Sequence, residues 1–143
     1  MEIQKYFEII ENIFLQHRSL IPMLLVHTSE GENIFISFLN LPQKKEDKQI
    51  MMFRIGKRIA EDKIKIDWVI FSSEAMLKYA SNKQDKKEGF ISVYNSKDNK
   101  CQAILKEIIR KEGRIELKNI EIEKIEIPLL KEFWSGYIFG GGK

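Results

Sequence analysis

Ile64-Lys65-Ile66-Asp67-Trp68-Val69-Ile70-Phe71-Ser72-Ser73-Glu74 is the stretch on which the reading of this chain turns. Residues Ile64 to Phe71 read as a strand, and the unbroken run Trp68 to Phe71 calls for cover on both faces, which places it centrally in a sheet. The run stops at two hydroxyls and a carboxylate. Because Ala75 to Ala80 reads as a short helix, Ser72 or Ser73 is expected to cap it and Glu74 to favour its first turn. The same three side chains at a strand end also make a candidate binding corner.

Working outward toward the N-terminus, Lys45 to Asp62 reads as the longest internal helix. Ile50, Met51, Met52, Phe53, Ile59 and Ala60 form its apolar face, opposite Arg54, Lys57, Arg58 and Glu61. Before it, Ile21–His27 and Asn33–Leu39 are short β-rich runs joined by Thr28-Ser29-Glu30-Gly31-Glu32, a hairpin signal that Pro42 closes. Glu2 to His17 opens the chain with Ile3, Tyr6, Phe7, Ile10, Ile13 and Phe14 at helical spacing.

On the other side, Ser81 to Glu88 is polar and lysine-rich and reads as a surface loop. Phe90 to Tyr94 resumes a strand, Ser96 to Asn99 turns, and Cys101 to Arg110 returns. This last segment also satisfies a helical period, but turn signals at Asp98-Asn99 and Gly113 favour a strand. Ile115 and Leu117, Ile120 and Ile122, then Ile125 and Ile127 alternate with charges, with a phase change near Glu123-Lys124 that suggests a bulge or bend.

From Pro128 the chain is a short apolar helix carrying Leu129, Leu130, Phe133, Trp134, Tyr137, Ile138 and Phe139. Such a segment must be covered, by the first helix or by another subunit. Its density of large apolar residues points to a two-fold interface, with Leu129, Leu130, Phe133, Trp134, Tyr137 and Phe139 as interface candidates. The closing Gly140-Gly141-Gly142-Lys143 differs from the terminal diglycine of ubiquitin-like carriers by its last lysine and reads as a frayed end.

The chain has 143 residues, 43% of them hydrophobic, enough for one domain with its own core, taken as 1–143 with 128–143 as an apolar tail. A single cysteine, Cys101, excludes an intramolecular disulfide and suits a reducing cytoplasm. No segment has the ~20 apolar residues of a membrane helix. The bias toward lysine, glutamate and isoleucine fits a thermophile or a host with an AT-rich genome. A net charge of +3, with acids interrupting the basic strip on the internal helix, argues against nucleic acid.

The chemical motifs are sparse. His17 and His27 both stand in His-x-Ser contexts, but the intervening segment holds them on the order of 20 Å apart, which rules out a paired phosphoesterase or metal site. Glu116-Leu117-Lys118 has the Glu-x-Lys spacing of metal-dependent nucleases. Glu46-Asp47-Lys48 and Glu61-Asp62-Lys63 share it, so the spacing is at chance level in this composition. No phosphate-binding glycine loop and no hydrolase elbow occurs.

Helix, hairpin, helix, central strand and Ser-Glu corner, followed by antiparallel strands, resembles an uncharacterised family of small proteins from bacteria, archaea and their viruses. The likeness rests on Ser73-Glu74-Ala75-Met76, where that family has Ser-Glu-Ala-aromatic, and on Asp85-Lys86-Lys87-Glu88-Gly89. It spans roughly residues 20 to 118 and implies an architecture without an activity.

The expectation is therefore an α+β fold. It has a single, mostly antiparallel twisted sheet of about six strands, with the N-terminal and long internal helices packed on it and a short C-terminal helix. The expected function is a small soluble, non-catalytic binding or protein-interaction domain. It would be homo-oligomeric, cytoplasmic and without cofactor or metal, taking a protein or small-molecule partner at Ser73, Glu74, Lys86 and Lys87. The alternative is a metal-dependent nuclease or other phosphodiesterase using Glu74 or Glu116 with an aspartate.

Overall fold

The computed structural model describes residues 3–79, 82–120 and 128–143, with backbone alone at 75–79 and 82–87. Its elements run α1 (Ile3–His17), β1 (Met23–Thr28), β2 (Asn33–Ser37), α2 (Lys45–Glu61), β3 (Ile66–Tyr79), β4 (Asn82–Ser96), β5 (Cys101–Lys111), β6 (Arg114–Ile120) and α3 (Pro128–Phe139). The strands form one antiparallel sheet in the order β2-β1-β3-β4-β5-β6. The unbroken apolar run is thus central, with Trp68, Val69 and Ile70 buried.

Side chains alternate across a strand, so neighbouring residues of this run feed two separate cores. On one face α1 buries Phe7, Ile10 and Phe14 against Leu25, Trp68, Ile70, Phe90 and Ile108. On the other, Leu24, Val26, Val69 and Val93 meet Met52 and Ile59 of α2 and Leu130, Phe133 and Tyr137 of α3. The result is three layers, helix on sheet on helix pair.

Two expectations need correction. The expected helix from Ala75 and loop up to Glu88 are strands where they are described: β3 continues to Tyr79 and β4 begins at Asn82. Their ladder runs on from Ser73↔Ile91 through Leu77↔Lys87 and Lys78↔Lys86. The sequence from Asn82 to Glu88 has no apolar alternation to signal a strand, although its backbone ladder continues. The serine cap disappears with the helix. Ser72 is fully buried in mid-strand, its hydroxyl 2.7 Å from that of Ser92 on β4.

The second correction concerns the tail, which covers itself on α2 rather than on α1. A Cβ at Gly136 would stand 1.9 Å from the Phe53 carbonyl oxygen, and one at Gly56 would stand 2.0 Å from that of Phe133, so the two helices touch backbone to backbone. The Tyr137 hydroxyl donates to the Ile64 carbonyl at 3.0 Å and accepts the Ile66 N–H at 3.2 Å, fastening α3 to the start of β3.

Cys101–Lys111 is a strand, as the bracketing turns predict. The β5–β6 turn has positive φ at both Glu112 (45°) and Gly113 (80°), the backbone of a two-residue type I′ hairpin. The proposed bend at Glu123-Lys124 lies outside the described residues. Among the described residues no helix is long and apolar enough to cross a membrane.

Candidate functional site

The predicted corner separates into parts. Ser73 follows Phe71 onto the α2/α3 face, while Glu74 follows Ser72 onto the α1 face, so one sheet divides them. Lys86 and Lys87 stand further along the hairpin in backbone register with Lys78 and Leu77.

Glu74 is committed to holding the fold. One carboxylate oxygen accepts the Leu20 N–H at 3.3 Å, and the other meets Nη2 of Arg110 at 3.2 Å. The same guanidinium donates through Nε to Glu88 at 3.0 Å and through Nη1 to the Arg18 carbonyl at 3.1 Å. Arg18, just past the end of α1, has φ of 60°. The cluster therefore clamps the chain leaving α1 onto β3, β4 and β5. Halfway along the helix, Glu11 and Lys106 pair at 2.7 Å and are largely buried.

The interface candidates divide as well. Leu130, Phe133 and Tyr137 are buried within this chain, Leu129 and Trp134 are half-buried, and Phe139 is exposed. Glu116, the nuclease candidate, pairs with Ile109 on β5, roughly 26 Å along that strand from Cys101 and the turn that carries Asp98. Among the described residues no three His, Cys, Asp or Glu side chains gather in a way that could hold a metal.

The opposite end of β3 is open. The β1–β3 register slips between His27 and Thr28, leaving Asp67 as an extra residue opposite them, a bulge. The Asp67 carbonyl takes the Lys97 N–H at 2.9 Å, and its carboxylate takes the Ser29 hydroxyl at 2.7 Å. Next to it the Trp68 indole stacks on His27 with ring centroids 4.6 Å apart and planes at 9°. Tyr6 meets its edge at 4.8 Å and Tyr94 packs at 5.7 Å. Trp68 is 1% exposed, yet its Nε1–H has no hydrogen-bond partner among the described residues.

A cleft of about 760 Å³ opens here between the start of α1 and the β4–β5 turn, with Asp67, Trp68, Tyr94, Lys97, Lys100 and Gln102 among its walls. On the other side of the same turn lies a second cleft of about 480 Å³, lined by Lys97, Lys131, Trp134 and Ser135. Its tryptophan repeats the pattern, for Trp134 Nε1 is also buried without a partner among the described residues. The intervening turn is stiff: Ser96 Oγ accepts the Lys100 N–H at 2.9 Å and donates a short hydrogen bond to Asp98.

That hydroxyl, seconded by the charge of Lys100, holds the Asp98 carboxyl below its ordinary value, so it is an anion at neutral pH. Burial pushes the Cys101 thiol at the cleft wall up, so it is protonated there and a poor nucleophile. The first cleft thus combines an aromatic wall of Trp68 and Tyr94 with the Lys97 amine and a Lys100 amine paired to Asp98 at 3.6 Å.

Sequence reasoning missed this place because Trp68 reads as one more core residue of an apolar run. The available signal was Asp67, a carboxylate that breaks the alternation just before the tryptophan. Compared with known proteins, the chain matches no family model, no curated protein and no solved structure.

Proposed function

We propose that this is a non-catalytic binding domain whose ligand occupies the Trp68 cleft. The observation that carries the reading is the orphan indole N–H of Trp68. A buried donor without a partner costs on the order of 1–3 kcal/mol, and native structures keep such groups where a water, ion or ligand completes them. Lys97 on the same wall, with Lys100 engaged by Asp98 at 3.6 Å, favours a small ligand rich in hydrogen-bond acceptors, such as a carboxylate or phosphate. The raised thiol of Cys101 and the wide separation of Glu116 from Asp98 fit binding better than hydrolysis. A single cysteine also suits a reducing compartment.

The test reads the indole directly. In a ¹H–¹⁵N spectrum the two tryptophan side-chain signals are distinguished by Trp134→Phe, and the protein is titrated with inorganic phosphate, acetate, succinate and a nucleoside monophosphate. The expected result is a saturable shift of the Trp68 signal with at least one of them, weakened by Lys97→Glu. A Trp68 signal indifferent to all four would remove the reading.

A further inference from the structure

The two edges of the sheet differ in a way that identifies a partner. The edge strand β6 presents Arg114, Glu116 and Lys118, the charged residues with which proteins usually blunt an open edge. The other edge strand, β2, is Asn33-Ile34-Phe35-Ile36-Ser37 and carries no charge, no proline and no bulge.

The direction of its backbone groups follows from the bonds flanking it. The β1–β2 register is Met23↔Ser37 through His27↔Asn33. The Thr28 N–H bonds the Glu32 carbonyl, and the Phe38 N–H bonds the Pro22 carbonyl, both at 2.8 Å. Antiparallel pairs alternate between bonded and non-bonded. Glu32, Ile34, Ile36 and Phe38 therefore bond inward to β1, and Asn33, Phe35 and Ser37 turn their N–H and C=O groups outward.

From this geometry we propose that β2 pairs with β2 of a second copy, about a two-fold axis at Phe35, to make one continuous sheet. The outward set is symmetric about Phe35, so Phe35 bonds its counterpart while Asn33 bonds the second copy's Ser37. The Phe35 side chain, 51% exposed, then lies directly against its twin, the aromatic cross-strand pair that stabilises antiparallel edges. Two further large apolar side chains are exposed, Leu39 just past β2 at 79% and Ile50 of α2, which shares a cleft with Ile36, at 50%. The cleft of about 530 Å³ between Ile36 and α2 has Asp47 and Arg54 on its rim with Ile50 between them.

This dimer does not depend on the Trp68 cleft, which lies at the β4–β5 turn. Two readouts on the full chain decide it. In sedimentation velocity the wild type runs as a dimer, and Phe35→Lys, which sets two like charges directly opposite, raises the dissociation constant about tenfold or more. Circular dichroism checks that this exposed substitution leaves the fold intact. In amide hydrogen exchange, the N–H groups of Asn33, Phe35 and Ser37 are protected in a concentration-dependent manner. A monomeric wild type in which these three amides exchange freely would overturn the proposal. So would a dimer that survives Phe35→Lys but separates on Phe139→Lys, which would place the contact on α3.

Discussion

At the Glu74 end of β3, both oxygens of the carboxylate and three nitrogens of Arg110 are bonded, and the chain leaving α1 is tied to three strands. At the Trp68 end of the same strand, an indole N–H is buried without a partner among the described residues, a bulge interrupts the ladder, and a cleft opens on each side of the adjacent turn. Both ends contain charges and hydrogen-bond donors. They differ in whether those groups answer one another. A strand end whose polar groups are mutually satisfied fixes the fold, and one whose donors are left over has capacity for something else.

Three perturbations strain that contrast. The largest effect is expected at α3, which walls the second cleft of the open end. In Gly136→Ala the new methyl meets the Phe53 carbonyl at 1.9 Å, a clash with backbone that forces α3 off α2. A loss of ~3 kcal/mol or outright misfolding is expected in denaturant titration. A loss below ~1 kcal/mol would mean that the open end is more plastic than described.

Arg110→Ala tests the closed end. It leaves Glu74 and Glu88 near each other without their shared cation and frees the Arg18 carbonyl. The pairs are partly exposed, so solvent screening limits the cost to about 1–2 kcal/mol, diminished in high salt. Chemical shifts of the tryptophan side chains at the other end should stay in place. Their movement would show that the two ends are coupled rather than separate.

The smallest effect is kinetic. Burial disfavours the Cys101 thiolate, so its pKa in the folded state lies above that in the unfolded chain. The associated stability is present below the unfolded value and is lost as pH rises through the folded one. Iodoacetamide alkylation should accordingly reach half its limiting rate above pH ~8.5, the midpoint of an ordinary thiol. A midpoint at or below that value would make the cleft wall an activating environment and reopen nucleophilic chemistry.

Much of the fold was legible because its signals are local. Thr28 to Glu32 marks a hairpin, Gly113 a tight turn, and Trp68 to Phe71 a strand covered on both faces. The outer part of the β3–β4 hairpin was hidden because Lys86 and Lys87 carry no apolar alternation. Misreading it as a helix and a loop turned Ser72 and Ser73 into a cap and put Ser73 and Glu74 on one site. The destination of the tail had a signal that went unused: Gly136 and Gly140 lie one helical turn apart, the spacing that lets another backbone approach closely. Trp68 was read correctly as buried. Its solitary N–H depends on where the Ser96–Lys100 turn arrives in space, which no local pattern encodes.

The fastening of α1 also bears on how the protein is made. Glu11 waits for Lys106, and Arg18 for Arg110, partners separated by 95 and 92 residues. At ~5–20 residues per second, a ribosome needs on the order of 5 to 20 s to deliver them. Phe7, Ile10 and Phe14 are made before Trp68, Phe90 and Ile108, the far part of their floor. Until β5 is made, that apolar stripe has only part of its cover.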